Sequence, residues 1–209
     1  MKNYLVELIG TFFLVLVIGM TGNPIAIGVM LMVMVYMGGH ISGAHYNPAV
    51  TIGVLIRGKI EMKDAVLYII SQLIGASLAA FAVLWITGYT IEVAPASWAT
   101  SLKVLVVEAA FTFALVSVVL NVATHPKTAG NSFYGLAIGF TVMAGAFAGG
   151  HVSGGAYNPA VGTGPILIDA ILGDGSTTNN LWYYWVGPLL GGILAAVTYK
   201  ITAGEDAGV

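Results

Sequence analysis

Apolar residues in this chain come in long unbroken runs, not in the narrow stripes of water-facing helices, and short polar or glycine-rich breaks separate the runs. Six stretches stand out: residues 4–20, 25–37, 65–86, 104–122, 133–148 and 181–201. Most reach the roughly 17–25 residues that a helix needs to cross the hydrocarbon core of a bilayer. Helices that are apolar all round bury themselves in protein or lipid. The pattern therefore predicts an all-α, polytopic membrane protein with six transmembrane helices. The second and fifth stretches are short and run into glycine-rich segments, 38–46 and 149–157, which are expected to be irregular. Each is followed by a short apolar segment, 47–57 and 158–172, too short to cross. Both begin Asn-Pro-Ala. Asparagine is a good helix N-cap and proline suits the first helical position, so each reads as a half-helix that enters the membrane and stops.

The second regularity is repetition. Residues 38–50 read GGHISGAHYNPAV and residues 149–161 read GGHVSGGAYNPAV, identical at ten of thirteen positions and 111 positions apart. At the same spacing Ala26, Ile27 and Gly28 answer Ala137, Ile138 and Gly139. Glu7 near the start of the first half is answered by Glu108 near the start of the second. The chain is read as one domain, 1–209, made of two units, about 1–100 and 102–209, joined at 125–131. Each unit carries three spans, an odd number, so the second must lie inverted relative to the first. The two half-helices then enter from opposite faces and meet N-terminus to N-terminus at mid-depth.

Composition sharpens this picture. Charged residues make up 8% of the 209, against about 25% in a soluble domain, and the mean hydropathy is +0.92. Of the seven lysines and arginines, Lys2, Arg57, Lys59, Lys63, Lys127 and Lys200 fall on the side of the N-terminus and Lys103 alone on the other. By the positive-inside rule both termini are cytoplasmic. The first apolar run follows Lys2 and contains Glu7, which suits a retained span better than a cleaved signal peptide. There is no cysteine, hence no thiolate metal site, and no basic run for nucleic acid. No metal or cofactor is expected.

Irregular backbone at membrane depth is tolerated only where it lines protein or a wet cavity. The segments ahead of Asn47 and Asn158 are therefore expected to line a passage, with open carbonyls as acceptors and the two asparagine amides as donors at its centre. Glu7 and Glu108 are intramembrane acids, functional candidates by default. Beside the unpaired N–H groups of irregular segments, they are expected to act as structural acceptors, not proton relays. His40 and His151 are read as bracing the loops. His45 is placed at the vestibule on the side of the termini, braced against backbone. Met30, Met32, Met34 and Met37 are read as packing residues. Gly75-xxx-Ala79, Gly187-xxx-Gly191 and Gly191-xxx-Ala195 predict close helix contacts.

The paired Asn-Pro-Ala motifs (Asn47, Pro48, Ala49 and Asn158, Pro159, Ala160), the HISGAHYNPAV run, the two acids and the run Trp185, Val186, Gly187, Pro188 together resemble the aquaporin and aquaglyceroporin family over essentially the whole chain. The resemblance implies a passive channel of the plasma membrane, not an enzyme. Its permeants would be water and small neutral solutes such as small polyols, and it would work as a lipid-embedded homotetramer with one pore per subunit. It implies that Gly43, Ala44, His45 and Tyr46, with Gly154, Gly155, Ala156 and Tyr157, present the carbonyl ladder. It also locates the selectivity filter at Ile27, Ala146, Gly155 and Val161. Most relatives carry arginine where Val161 stands, so this filter is expected to be wide and apolar and to admit glycerol, urea, ammonia or neutral metalloid acids. Tyr184 and Trp185 resemble the water-selective branch instead, and strict water selectivity is the rival reading. An ion-coupled transporter with inverted repeats would need further acids in its spans, and an intramembrane enzyme a nucleophile–base pair; neither appears.

Overall fold

The computed structural model describes residues 1–203, and among them all regular structure is helical. Six long helices, α1 (Lys2–Thr21), α2 (Pro24–Ser42), α4 (Met62–Thr87), α5 (Ser101–Ala123), α6 (Tyr134–Ser153) and α8 (Tyr183–Thr202), are joined by two short ones, α3 (Pro48–Ile56) and α7 (Pro159–Leu172). The order long, long, short, long thus occurs twice. All six long helices are long and apolar enough to cross a bilayer, and only 28–39% of each span is buried within the chain. The remainder turns outward with side chains such as Leu5, Ile70, Phe81, Phe140 and Leu190. This is a multi-pass membrane protein. An even number of spans puts the two ends of the described chain, Met1 and Ala203, on one face, the near face; the opposite one is the far face.

Glycine governs how close the helices come. α1 lies against α4 and α5 against α8, the two most extensive contacts in the fold, with α2 on α6 next. A Cβ at Gly75 of α4 would run into the Leu8 carbonyl of α1, and one at Gly191 of α8 into the Ala109 carbonyl of α5. Gly28 and Gly139, matching positions in α2 and α6, meet each other: a Cβ at Gly28 would lie 2.7 Å from the Gly139 oxygen. With little hydrophobic drive between helices inside lipid, such close approach supplies the dispersion contacts that hold spans together.

The glycine-rich segments behave differently from expectation. α2 continues through Gly38, Gly39, His40 and Ile41 to Ser42, and α6 through Gly149 and Gly150 to Ser153. Only 43–46 and 154–157 leave the helix. Gly38 and Gly149 are packing glycines: Tyr46 and Tyr157 fold back onto them, with the Tyr157 hydroxyl 2.6 Å from where a Gly149 Cβ would be. The helices end one turn later at Gly43 (φ 85°) and Gly154 (φ 91°), left-handed positions that glycine accepts without strain. His40 and His151 accordingly sit in the last turns of α2 and α6, exposed, and do not brace the loops.

Candidate functional site

Each short irregular segment turns a row of backbone N–H groups away from the middle of the molecule, where no water could satisfy them. A carboxylate collects them. Glu7 is fully buried; its Oε1 accepts from Ser42 Oγ (2.7 Å) and the His45 N–H (3.0 Å), and its Oε2 from the Tyr46 N–H (2.7 Å) and Gln72 Nε2 (2.8 Å). Glu108 repeats the arrangement with Ser153 Oγ (2.7 Å), the Ala156 N–H (3.1 Å) and the Tyr157 N–H (2.6 Å). Charge-assisted bonds of this kind are among the strongest available to a buried loop. They hold Tyr46 (φ 51°) and Tyr157 (φ 49°) in the left-handed region, and the Ser42 hydroxyl, itself bonded to Glu7, accepts from the N–H of Ala44 (φ 51°). Such conformations survive where surrounding contacts over-determine them.

The N–H groups of His45, Tyr46, Ala156 and Tyr157 are thus spent on the acids. No hydrogen bond within the described residues reaches the oxygens of Gly43, Ala44, His45, Gly154, Gly155 or Ala156. Tyr46 and Tyr157 depart from the expected open ladder. The Asn158 Nδ2 donates to the Tyr46 carbonyl and the Asn47 Nδ2 to the Tyr157 carbonyl, both at 2.9 Å. Each asparagine also caps its own half-helix, Oδ1 accepting from the Ala49 N–H (2.8 Å) and the Ala160 N–H (2.9 Å). The N-termini of α3 and α7 are thus stapled to each other's loops. Each amide keeps one N–H beyond the staple.

These groups line a cavity of about 420 Å³ that reaches from mid-depth to the far face. Asn47 and Asn158 stand on its wall, and so do Ile27, Ala146, Gly155 and Val161. Leu14, Leu31, Leu115, Val119, Ile138 and Val142 make much of the remaining wall apolar, and His45, His151 and Glu92 bring ionisable side chains to it. A second hollow opens to the near face, lined by Gly43, Tyr68 and Lys59, and His45 borders both. Thr51 Oγ1 donates to the Asn47 carbonyl (3.0 Å) and accepts from Gln72 Nε2 (3.0 Å). With its one proton committed, it accepts from His45 Nδ1 (3.2 Å). That fixes the imidazole against α3, with the Tyr68 ring at 5.1 Å.

Three residues escaped the sequence reading. Gln72 adds a fourth donor to Glu7; its signal was a lone polar side chain in an apolar span. Glu92, in the loop between α4 and α5, lies on the far part of the cavity wall. Asp169, 2% exposed in the last turn of α7, ties loops together at the far face. An acid within an apolar half-helix was a legible signal; its partners were not.

Six spans around a passage with two half-helices abutting at its centre define a membrane channel fold. The chain belongs to the major intrinsic protein family, whose family model matches residues 18–199; its members are channels, not enzymes. It is 40% identical to "Aquaporin TIP2-3" of Zea mays over 87% of this chain and 71% of that protein. It is 37% identical to "Glycerol uptake facilitator protein-like 6" of Lactiplantibacillus plantarum over 99% of this chain and all of that one. The fold matches the X-ray structure of the aquaglyceroporin from Plasmodium falciparum with a TM-score of 0.85 at 22% identity, covering 99% of this chain and 98% of that chain.

Proposed function

We propose that this chain is a passive channel of the plasma membrane for water and small neutral solutes, with a filter wider and less polar than an arginine-bearing one. The observation that carries it is the composition of the wall: Val161, Ala146, Gly155 and Ile27 bring neither a charge nor a side-chain donor to the cavity they share. A solute crossing the far half meets the carbonyls of Gly154, Gly155 and Ala156 and a largely hydrocarbon wall, with His151 and Glu92 as its ionisable side chains. Molecules with several donors and an apolar back, such as glycerol, suit that wall, and urea and ammonia are small enough to pass with them. At the centre the asparagine amides supply donors. The facing N-termini of α3 and α7, worth roughly half a positive charge each, disfavour cations. Glu7 and Glu108 act as scaffold. In this reading the chain is a single domain of two inverted halves with cytoplasmic termini, assembled as a homotetramer.

The test is stopped-flow permeability of purified proteoliposomes to water, glycerol, urea and ammonia. Glycerol and urea crossing faster than in protein-free vesicles is the expected result; vesicles that pass water and exclude every larger solute would overturn it. The asparagines give a second check. Asn47→Ala or Asn158→Ala removes a cap worth ~0.5–2 kcal/mol together with one staple and one central donor. Thermal stability should fall by that order, and unit flux should fall in the protein that still folds. A folded double variant with wild-type flux would remove the asparagines from the mechanism.

A further inference from the structure

Asp169 is a buried carboxylate at the C-terminal end of α7, where the helix dipole disfavours negative charge. The corresponding position 111 residues before it is Gly58, so the first half has nothing like it. Its oxygens are occupied by two loops. Oδ1 accepts from Thr90 Oγ1 (3.2 Å), in the loop between α4 and α5; Oδ2 accepts from Thr177 Oγ1 (2.7 Å) and the Thr177 N–H (3.2 Å), in the loop between α7 and α8. Thr177 is itself 3% exposed.

Immediately beyond Thr90 the chain forms the far wall of the cavity. Ile91, Glu92 and Val93 line it, and Ile91 and Val93 are 9% and 5% exposed although they belong to a loop. Ile91 is wedged against Gly19 of α1 and lies close to the Val83 side chain of α4 at that point. The segment is pinned beyond Val93 as well: the Ala96 N–H donates to the Val152 carbonyl (3.0 Å), and the Ala94 carbonyl sits 2.8 Å from where a Gly154 Cβ would be. A loop fixed at both ends, with apolar side chains in the mouth of a cavity, limits what enters.

We propose that Asp169 is a positioning residue for selectivity: by clasping Thr90 and Thr177 it holds Ile91 and Val93 as a rigid lip, and this lip sets the largest solute the channel passes. The inference rests on the wide-filter reading above, because a filter without arginine leaves size discrimination to whatever else narrows the mouth. The charge is what makes the clasp firm, since hydroxyl donors bind a buried carboxylate more strongly than a neutral oxygen.

The test compares water, glycerol and a five-carbon sugar alcohol in proteoliposomes of wild type, Thr90→Val, Thr177→Val, Asp169→Asn and Ile91→Ala. Loosening the clasp or shortening the lip should raise the ratio of five-carbon alcohol to glycerol flux by about threefold or more, a barrier change that small contacts at a constriction readily supply, with water flux within about twofold. A purely structural role would lower all three fluxes together and leave the ratio where it was. Folded Thr90→Val and Ile91→Ala channels with the wild-type ratio would overturn the proposal, even if Asp169→Asn fails to fold. Should wild type exclude glycerol altogether, the wide-filter reading fails, and the lip is then read by whether Ile91→Ala and Thr90→Val admit glycerol: admission supports it and continued exclusion overturns it. Wild type that passes glycerol, with variants of unchanged ratio, defeats the lip and leaves the reading standing.

Discussion

Val161→Arg is expected to lower glycerol and urea permeability by on the order of tenfold, about 1.4 kcal/mol in barrier height, and to lower water permeability far less. Val161 is 4% exposed and shares the cavity wall with Gly155 and Ala146, neither of which would obstruct a long side chain. A guanidinium there narrows the opening and offers up to five N–H donors in a fixed fork. The unpaired carbonyls of the 154–156 segment and the Glu92 carboxylate share that cavity. Water loses little, because it fits the remaining gap and gains a donor that the apolar wall lacks. Cation leak should fall as well, since a full positive charge then joins the two half-helix dipoles. The check is the ratio of glycerol to water permeability in the same vesicle preparation. An unchanged ratio in a folded variant would mean that a side chain at position 161 does not reach the path of the solute.

The second large effect lies in the scaffold. Glu7→Ala leaves Ser42 Oγ, two loop N–H groups and Gln72 Nε2 without the acceptor they share. Each unsatisfied buried donor costs ~1–3 kcal/mol, so the sum rivals the ~5–15 kcal/mol that keeps a typical protein folded. Monodisperse protein after detergent extraction should be scarce. Glu7→Gln is a milder change. Its amide oxygen keeps two bonds, while its new N–H group faces the donors of Tyr46 and Gln72. Gln72 Oε1 has no partner in the native arrangement, so turning that amide over supplies an acceptor for the new N–H, at the cost of the bond from Gln72 Nε2 to Thr51 Oγ1, and the Tyr46 N–H stays in conflict. Glu108→Gln meets one conflict from the outset, because Pro188, three residues before Gly191 as Gln72 is three before Gly75, stands where the second half would carry a counterpart of Gln72. Both glutamine variants should therefore fold with reduced melting temperature and retain much of their flux. Proton-coupled flux in wild type that becomes uncoupled in Glu7→Gln would instead make the acid a relay.

Most of this was readable because duplication doubles every signal. One Asn-Pro-Ala is a helix start; two in register with repeated acids are a device. The acids announced themselves by charge in an apolar run, and Asn47 and Asn158 by capping chemistry. The segments 38–42 and 149–153 misled because Gly38 and Gly149 look like helix breakers. In the fold they are where Tyr46 and Tyr157 pack, a tertiary reason that local sequence does not carry. The staples from Asn47 to Tyr157 and from Asn158 to Tyr46 span 110 and 112 positions. Local pattern located the donors but not the acceptors. The same holds for the far mouth, where Thr90 and Asp169 share no motif and meet only through the path of the chain.

The crossed staples at mid-depth and the contact of Gly28 with Gly139 have a kinetic consequence. They bind the halves of the molecule to each other at the very plane where a carrier would have to let them rock. A carrier moves at the pace of its conformational cycle, microseconds to milliseconds per solute, and saturates when every copy is occupied. Here the hinge plane is locked by two hydrogen bonds and by backbone against backbone, so no such cycle limits throughput. Flux through this architecture should rise in proportion to the gradient, and its temperature dependence should be the shallow one of diffusion through water, without the steep barrier of a moving protein.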